Sequence, residues 1–117
     1  MTLQLQKSQA TPDIWVLALS GRLLMGNDSR NVELAFSELL LEGVKKVVAD
    51  ITRLESLDST GVGILVVCHG RIQKAGGALR IASSPGIVHD ALMMTHVDKL
   101  IRFFPSAEEA TKNFEVP

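Results

Sequence analysis

Lys46-Val47-Val48-Ala49-Asp50-Ile51 and, shortly after it, Leu57-Asp58-Ser59-Thr60-Gly61-Val62-Gly63 are the stretches on which the reading of this chain turns. The first is a short apolar run with the character of a central strand. The second opens an apolar segment that closes at Gly76-Gly77, and it predicts a helix from about Thr60 to Lys74. Asp58 is placed to cap that helix, which leaves Ser59 in its first turn. There the hydroxyl lies near free backbone N–H groups and the positive end of the helix dipole, a setting that can hold a phosphate. Gly61 and Gly63 carry no side chains, so another protein can approach the hydroxyl closely. A hydroxyl at the mouth of a helix, just after a buried strand, is suited to being modified or bound.

Outward from this unit the pattern continues. Ala78–Ala82 reads as the next strand, and a strand–helix–strand unit favours a parallel pair with a right-handed crossover. Towards the N-terminus, Leu3 and Leu5 alternate with glutamines, Pro12-Asp13 marks a turn, and Ile14–Leu19 reads as the second strand of a hairpin, closed at Ser20-Gly21. From Asp28 or Ser29, Val32, Phe36, Leu39 and Leu40 recur at helical spacing, with Gly43 placed to end the helix. Ser84 is read as a cap with Pro85 in the first turn of a helix reaching about Thr95, and Ile101–Phe104 as a short last strand. Ser106-Ala107-Glu108-Glu109 has capping-box spacing for a closing helix. The predicted fold class is α/β: a single domain over residues 1–117, with a mixed, mostly parallel sheet, an antiparallel N-terminal hairpin and about four helices mainly on one face.

With the run at 57–63 the chain resembles a STAS domain, in particular the small bacterial anti-sigma-factor antagonists, whose signature is Asp-Ser-Ser/Thr-Gly-apolar-Gly. The resemblance extends through Leu19-Ser20-Gly21-Arg22-Leu23, Val48-Ala49-Asp50-Ile51, Gly76-Gly77-Ala78-Leu79-Arg80-Ile81, Val88 to Leu92, Thr95, and Phe104 to Ala110. It covers nearly the whole chain, in the family's order and spacing. At one place the sequence departs: the family often has Gly-x-Leu-Asp, whereas here Gly21-Arg22-Leu23 is followed by Leu24, then Met25.

Bulk properties narrow the classes. A 117-residue chain of 12.7 kDa suits one domain with one core. The net charge is −1, and no Lys/Arg cluster is interleaved with aromatics, which argues against a nucleic-acid surface. The single cysteine, Cys68, lies in the apolar run Val62–Cys68 and reads as a buried thiol, in keeping with a reducing cytoplasm. Met1 to Lys7 has no signal-peptide core, and no apolar run reaches the roughly 20 residues needed to span a bilayer. The expected location is cytoplasmic, without membrane insertion.

Enzymatic chemistry is not supported. Ser59 lacks the glycine two positions upstream that a nucleophile elbow uses. His69 lies ten residues further along the same predicted helix, about 15 Å away at ~1.5 Å per residue, leaving only His89 or His96 as bases the fold could bring. Asp50 invites a receiver-type phospho-acceptor reading, but the early strand ends in Leu19-Ser20-Gly21-Arg22 without the acidic pair that holds Mg²⁺. Asp50 is better read as bonding to neighbouring backbone. The histidines have no metal-ligand spacing, and Gly61 and Gly63 belong to neither nucleotide-binding loop pattern. No catalytic residue, metal ligand or cofactor is expected.

The resemblance implies a regulator of transcription acting through protein–protein contacts by partner switching. Unphosphorylated, it binds an anti-sigma factor that has serine kinase activity; phosphorylation of Ser59 breaks the complex. The implied contact residues are Asp58, Ser59, Thr60, Gly61, Val62 and Gly63. On the predicted helix, Val62, Leu65, Val66 and His69 form one stripe and Ile64, Val67 and Cys68 a second, one to face the sheet and the other to be covered or to serve as a docking patch. On this view Gly61→Arg leaves the fold largely intact, apart from strain in the cap region, while obstructing a partner. The alternative is a non-switching scaffold, or a subunit of a signalling or lipid-transport complex, using the same helix unmodified. The sequence singles out neither monomer nor dimer.

Overall fold

The computed structural model describes residues 2–116, and they begin with the expected hairpin. β1 (Gln4–Thr11) and β2 (Ile14–Leu23) pair antiparallel, and the turn is pinned by the Thr11 hydroxyl oxygen accepting the Ile14 N–H at 3.1 Å. There follow α1 (Asn27–Leu41), β3 (Lys46–Leu57), α2 (Ser59–Lys74), β4 (Ala78–Ala82), α3 (Ile87–Met94), a 3₁₀ turn (Val97–Lys99), β5 (Arg102–Phe104) and α4 (Ala107–Thr111). The strands lie in the sheet in chain order, and every pair after the first is parallel.

That order decides where the helices go. Each crossover from β2 onward steps to the adjacent strand in the same direction and with the same hand, so α1, α2 and α3 fall on one face. Val32, Phe36 and Leu39 of α1, Leu65 and Ile72 of α2 and Leu92 of α3 share one core with alternate strand residues such as Leu17, Val47, Ala49 and Ile81. The other face carries Ile14, Val16, Val48 and Ala82, covered by Ala110 of α4 and by Phe114. The single α/β domain with a mixed five-stranded sheet, its helices mainly on one face, is the expected architecture. Cys68 is buried as read, and burial pushes its thiol up to about 12, which keeps it protonated.

α4 is only five residues long and has little stability of its own. It is held at both ends. Ser106 Oγ accepts the Glu109 N–H at 3.1 Å, the expected cap, although Glu109 pairs with Lys112 instead of completing the capping box. At the other end the buried Arg80 guanidinium donates to the carbonyls of Ala110, Lys112 and Asn113 at 3.1, 2.9 and 3.0 Å and lies over the Phe104 and Phe114 rings. A cation satisfying the last carbonyls of a helix is favoured by the negative end of its dipole.

Three local expectations are corrected. β2 does not close at Ser20-Gly21. It continues to Leu23, and β3, expected to end near Ile51, continues to Leu57, with two register shifts before Leu23 pairs with Leu57. Burial of Leu23, Ile51 and Leu54 in the core holds this extension, and Gly21 at φ +88° allows the irregularity where a Cβ would run into the Thr2 carbonyl. Ser84 does not cap α3, which begins at Ile87 after Gly86; its hydroxyl donates to the Thr52 carbonyl at 3.1 Å. α1 starts at Asn27, slightly ahead of the expected position, and Ser29 is buried, donating to the Gly26 carbonyl at 3.0 Å.

Candidate functional site

The extended β2–β3 arm carries the start of α2 beyond the end of β4, whose last pair joins Ala82 to Asp50. Asp58 follows β3 directly and caps α2 with extended backbone at φ −102°, as a cap requires. One carboxylate oxygen, Oδ1, accepts the Gly61 N–H at 2.9 Å; the other, Oδ2, accepts the Met25 N–H at 3.0 Å. The Asp58 N–H donates to the Leu23 carbonyl at 3.3 Å. One residue therefore fastens the helix start to the loop between β2 and α1. The Met25 N–H first, and then the Gly61 N–H, hold the Asp58 carboxyl below its ordinary value of 3.8, so it is ionised near neutral pH.

Ser59 occupies the first position of α2 and is exposed, while Thr60 is half-buried. The residues following Ser59 at helical spacing on the outer side of α2 are Gly63, Val67 and Gly70, and Val67 is 45 % exposed. The inward residues are Gly61, Ile64, Leu65, Cys68 and Ile72. This differs from the two stripes read from the sequence: Leu65 is buried together with Ile64 and Cys68, Val62 and Val66 are half-buried, and Val67 faces out. α1 and the sheet cover a broader arc of the helix than one stripe, because two layers meet it at once.

The two signature glycines have different surroundings. A Cβ at Gly61 would lie 2.7 Å from the Leu23 carbonyl oxygen and 3.0 Å from Leu57 Cβ, whereas a Cβ at Gly63 would meet nothing within 4 Å. The expectation that Gly61→Arg preserves the fold is therefore corrected. Gly61 is a packing glycine that seats α2 against the end of β2, and Gly63 is the one that leaves outer space free.

Neither of the bases considered for Ser59 is bonded to it. Among the described residues the only serine–histidine hydrogen bond joins Ser83 Oγ and His89 Nδ1 at 3.0 Å, with the His89 ring edge-on to Phe103. Asp50 bonds locally, accepting from the Thr52 N–H at 3.1 Å and the Thr52 hydroxyl at 2.7 Å. No described group of His, Cys, Asp and Glu residues is arranged to hold a metal, and no described helix is long and apolar enough to cross a membrane. Clefts of about 280, 340 and 460 Å³ lie around Ser20 and Asp50, between His69 and Arg80, and at the hairpin end near Trp15 and Val44; none includes Ser59. Ser59 itself is exposed, and so is Met25 at 74 %, whose amide bonds the neighbouring Asp58.

Met25 escaped the sequence reading. It lies 33 residues from Asp58, and its contribution is a backbone N–H, which no residue type announces.

Comparison with known proteins identifies the family and the fold. A family profile described as STAS domain matches residues 6–110. A Thermotoga neapolitana protein, named as a candidate anti-sigma factor antagonist and a homolog of TM1081, is 26 % identical over 100 residues, spanning 80 % of this chain and 88 % of the relative. The crystal structure of TM1081 from Thermotoga maritima, described in the same terms, superposes with a TM-score of 0.84 at 22 % identity over 94 % of this chain and 93 % of that one. The Bacillus cell fate determinant SpoIIAA in its phosphorylated form superposes with a TM-score of 0.72 at 18 % identity, over 92 % of this chain and 96 % of that one.

Proposed function

Because this chain belongs to the STAS domain family, we propose that it is a cytoplasmic anti-sigma-factor antagonist working by partner switching. It is a binding protein and not a catalyst. With Ser59 unmodified, the start of α2 and the adjoining loop dock an anti-sigma factor that has serine kinase activity, and the sigma factor is released. The partner then transfers the γ-phosphoryl group of ATP to Ser59 Oγ, ADP leaves, and the complex separates. Asp58, Ser59, Thr60, Val62 and Gly63 form the contact, and Gly61 supports it by letting the helix start lie close to β2.

The observation that carries this reading is the setting of Ser59: an exposed hydroxyl at the first position of α2, with open space at Gly63 and an ionised carboxylate at Asp58. A phosphoryl group adds about −1.5 to −2 charges and three acceptor oxygens at such a contact, next to a carboxylate that already repels them. The names of the Thermotoga relatives, and the existence of a phosphorylated form of a Bacillus protein with the same fold, support the reading. Leu24 stands where the family often has an aspartate, and the carboxylate beside Ser59 is that of Asp58, itself part of the signature.

Titration calorimetry against the anti-sigma partner tests this. Ser59→Ala binds nearly as well as wild type. Ser59→Asp places a carboxylate in the contact that must lose water without a partner, and binds at least about 30-fold more weakly. Equal affinity of Ser59→Asp and wild type refutes switching and favours a scaffold that uses the same surface unmodified.

A further inference from the structure

The cleft of about 340 Å³ between His69 and Arg80 takes no part in the contact at Ser59. It opens where β4 runs past its neighbour. β5 begins at Arg102, opposite Arg80, so among the described strands nothing pairs with Ala78 and Leu79 on that edge. Arg80 and Arg102 therefore stand side by side in register, and neither joins a described ion pair, these being Lys7–Glu38, Lys46–Asp13 and Lys112–Glu109. Like charges so placed repel each other. Burial first, and then the charge of Arg102, push the Arg80 pKa below its usual range. Arg80 is only 5 % exposed and is immobilised, with its guanidinium 4.8 and 4.2 Å from the centres of the Phe104 and Phe114 rings. Three of the five N–H groups of an arginine are taken here by the Ala110, Lys112 and Asn113 carbonyls. The Nε–H is bonded to none of the described groups, yet the one buried side-chain nitrogen or oxygen without a partner among the described residues is His69 Nδ1, so Arg80 Nε keeps contact with solvent. The exposed Arg102 guanidinium rests over the same Phe104 ring at 5.2 Å.

We propose that this cleft is a binding site for a small phosphate monoester, whose phosphate is held between Arg80 and Arg102. Two neighbouring guanidiniums without a counter-anion are the charge such a group neutralises. A tetrahedral dianion offers three oxygens and can accept from both forks, whereas the two oxygens of a carboxylate are matched by one. Arg80 is already fixed by its carbonyls and rings, so ligand binding costs little side-chain entropy there. The volume lies at the low end of the roughly 300–1,000 Å³ of small-molecule sites, more than a bare phosphate fills. Ala78, Leu79 and the 56 % exposed Leu100 supply apolar surface for an organic body. Glu115 is the one carboxylate among the lining residues; it is exposed, and it turns to solvent as the anion enters. His69 lies ten residues along α2 from Ser59, about 15 Å at ~1.5 Å per residue, so the ligand acts on the same helix without competing for the Ser59 contact.

The test is an NMR titration of the full chain that follows the Arg80 and Arg102 Nε–H signals at constant ionic strength, at about pH 7.5, where a phosphate monoester is a dianion. Phenyl phosphate, inorganic phosphate and benzoate are the probes. Phenyl phosphate should move both signals saturably, with a Kd of about 1 mM or below, and the other two should bind several-fold more weakly. Arg102→Gln, at an exposed position, should keep the wild-type Tm and lose at least about tenfold in affinity for phenyl phosphate. Glu115→Gln should bind it no more weakly than wild type. Shifts that do not saturate with phenyl phosphate overturn the site, as does wild-type affinity in the folded Arg102→Gln protein. Benzoate binding as tightly as phenyl phosphate overturns the choice of phosphate, and inorganic phosphate binding as tightly overturns the organic body.

Discussion

Gly61 and Gly63 lie two residues apart in the same helix, yet alanine at the two positions is expected to change stability in opposite directions. At Gly63 a Cβ enters open space, so Gly63→Ala gains the helix propensity of alanine and the lower entropy of its unfolded chain, about 1 kcal/mol. At Gly61 the same gain is opposed by a Cβ placed 2.7 Å from the Leu23 carbonyl oxygen and 3.1 Å from Leu23 Cγ. That carbonyl is strand backbone, with its pairing at Leu57 and a bond from the Asp58 N–H, and cannot swing aside as a flexible side chain would. Overpacking of this kind costs about 2–3 kcal/mol, leaving Gly61→Ala about 1–2 kcal/mol less stable than wild type. At about 2.1 cal/mol/K per residue, a chain of 117 residues has an unfolding entropy near 0.25 kcal/mol/K, so each kcal/mol moves Tm by about 4 °C. Thermal unfolding followed by circular dichroism should therefore give a Tm raised by about 4 °C for Gly63→Ala and lowered by about 4–8 °C for Gly61→Ala. A Gly61→Ala protein as stable as wild type would refute the assignment of Gly61 to packing. The pair also separates stability from docking: Gly63→Arg should keep the fold and obstruct the partner, which Gly61→Arg cannot test cleanly.

Two further outcomes follow from the structure. Arg80→Met keeps an apolar stem against Phe104 and Phe114 but leaves the Ala110, Lys112 and Asn113 carbonyls without their donor; urea unfolding should show a loss of about 2–3 kcal/mol, and faster amide exchange around Phe114 should show that α4 loosens first. The folded-state pKa of Asp58 is depressed, so the stabilisation it provides is present above its unfolded value of 3.8 and is lost as pH falls through the lower folded value. The difference in urea midpoint between wild type and Asp58→Asn should accordingly be constant from pH 7 to 5 and shrink below pH 3.8; a difference that stays constant down to pH 2.5 would show that the carboxylate's two amide bonds do not stabilise the fold.

The order and type of the elements were legible because they depend on neighbours within a turn or two. Alternation predicted the hairpin, the spacing of Val32, Phe36 and Leu39 predicted α1, and the helix opening after Asp58 was readable because a capping carboxylate meets an N–H three residues ahead. Cys68 in its apolar run was readable as buried for the same reason. The stripes on α2 were misassigned because helical periodicity tells which residues share a face, but not how wide an arc two covering layers occlude.

From the sequence by itself came a chain of strands and helices with a hydroxyl at a helix mouth, since caps, periodicity and turns are local physics. Only the tertiary structure decided that β2 and β3 run on to Leu23 and Leu57, that Gly61 is closed in while Gly63 is free, that Arg80 holds α4, and that Asp58 reaches Met25. Each of these depends on the register between segments some thirty residues apart. That register is set by which side chains the whole sheet buries together, and a shift of one residue would turn every one of them to the opposite face.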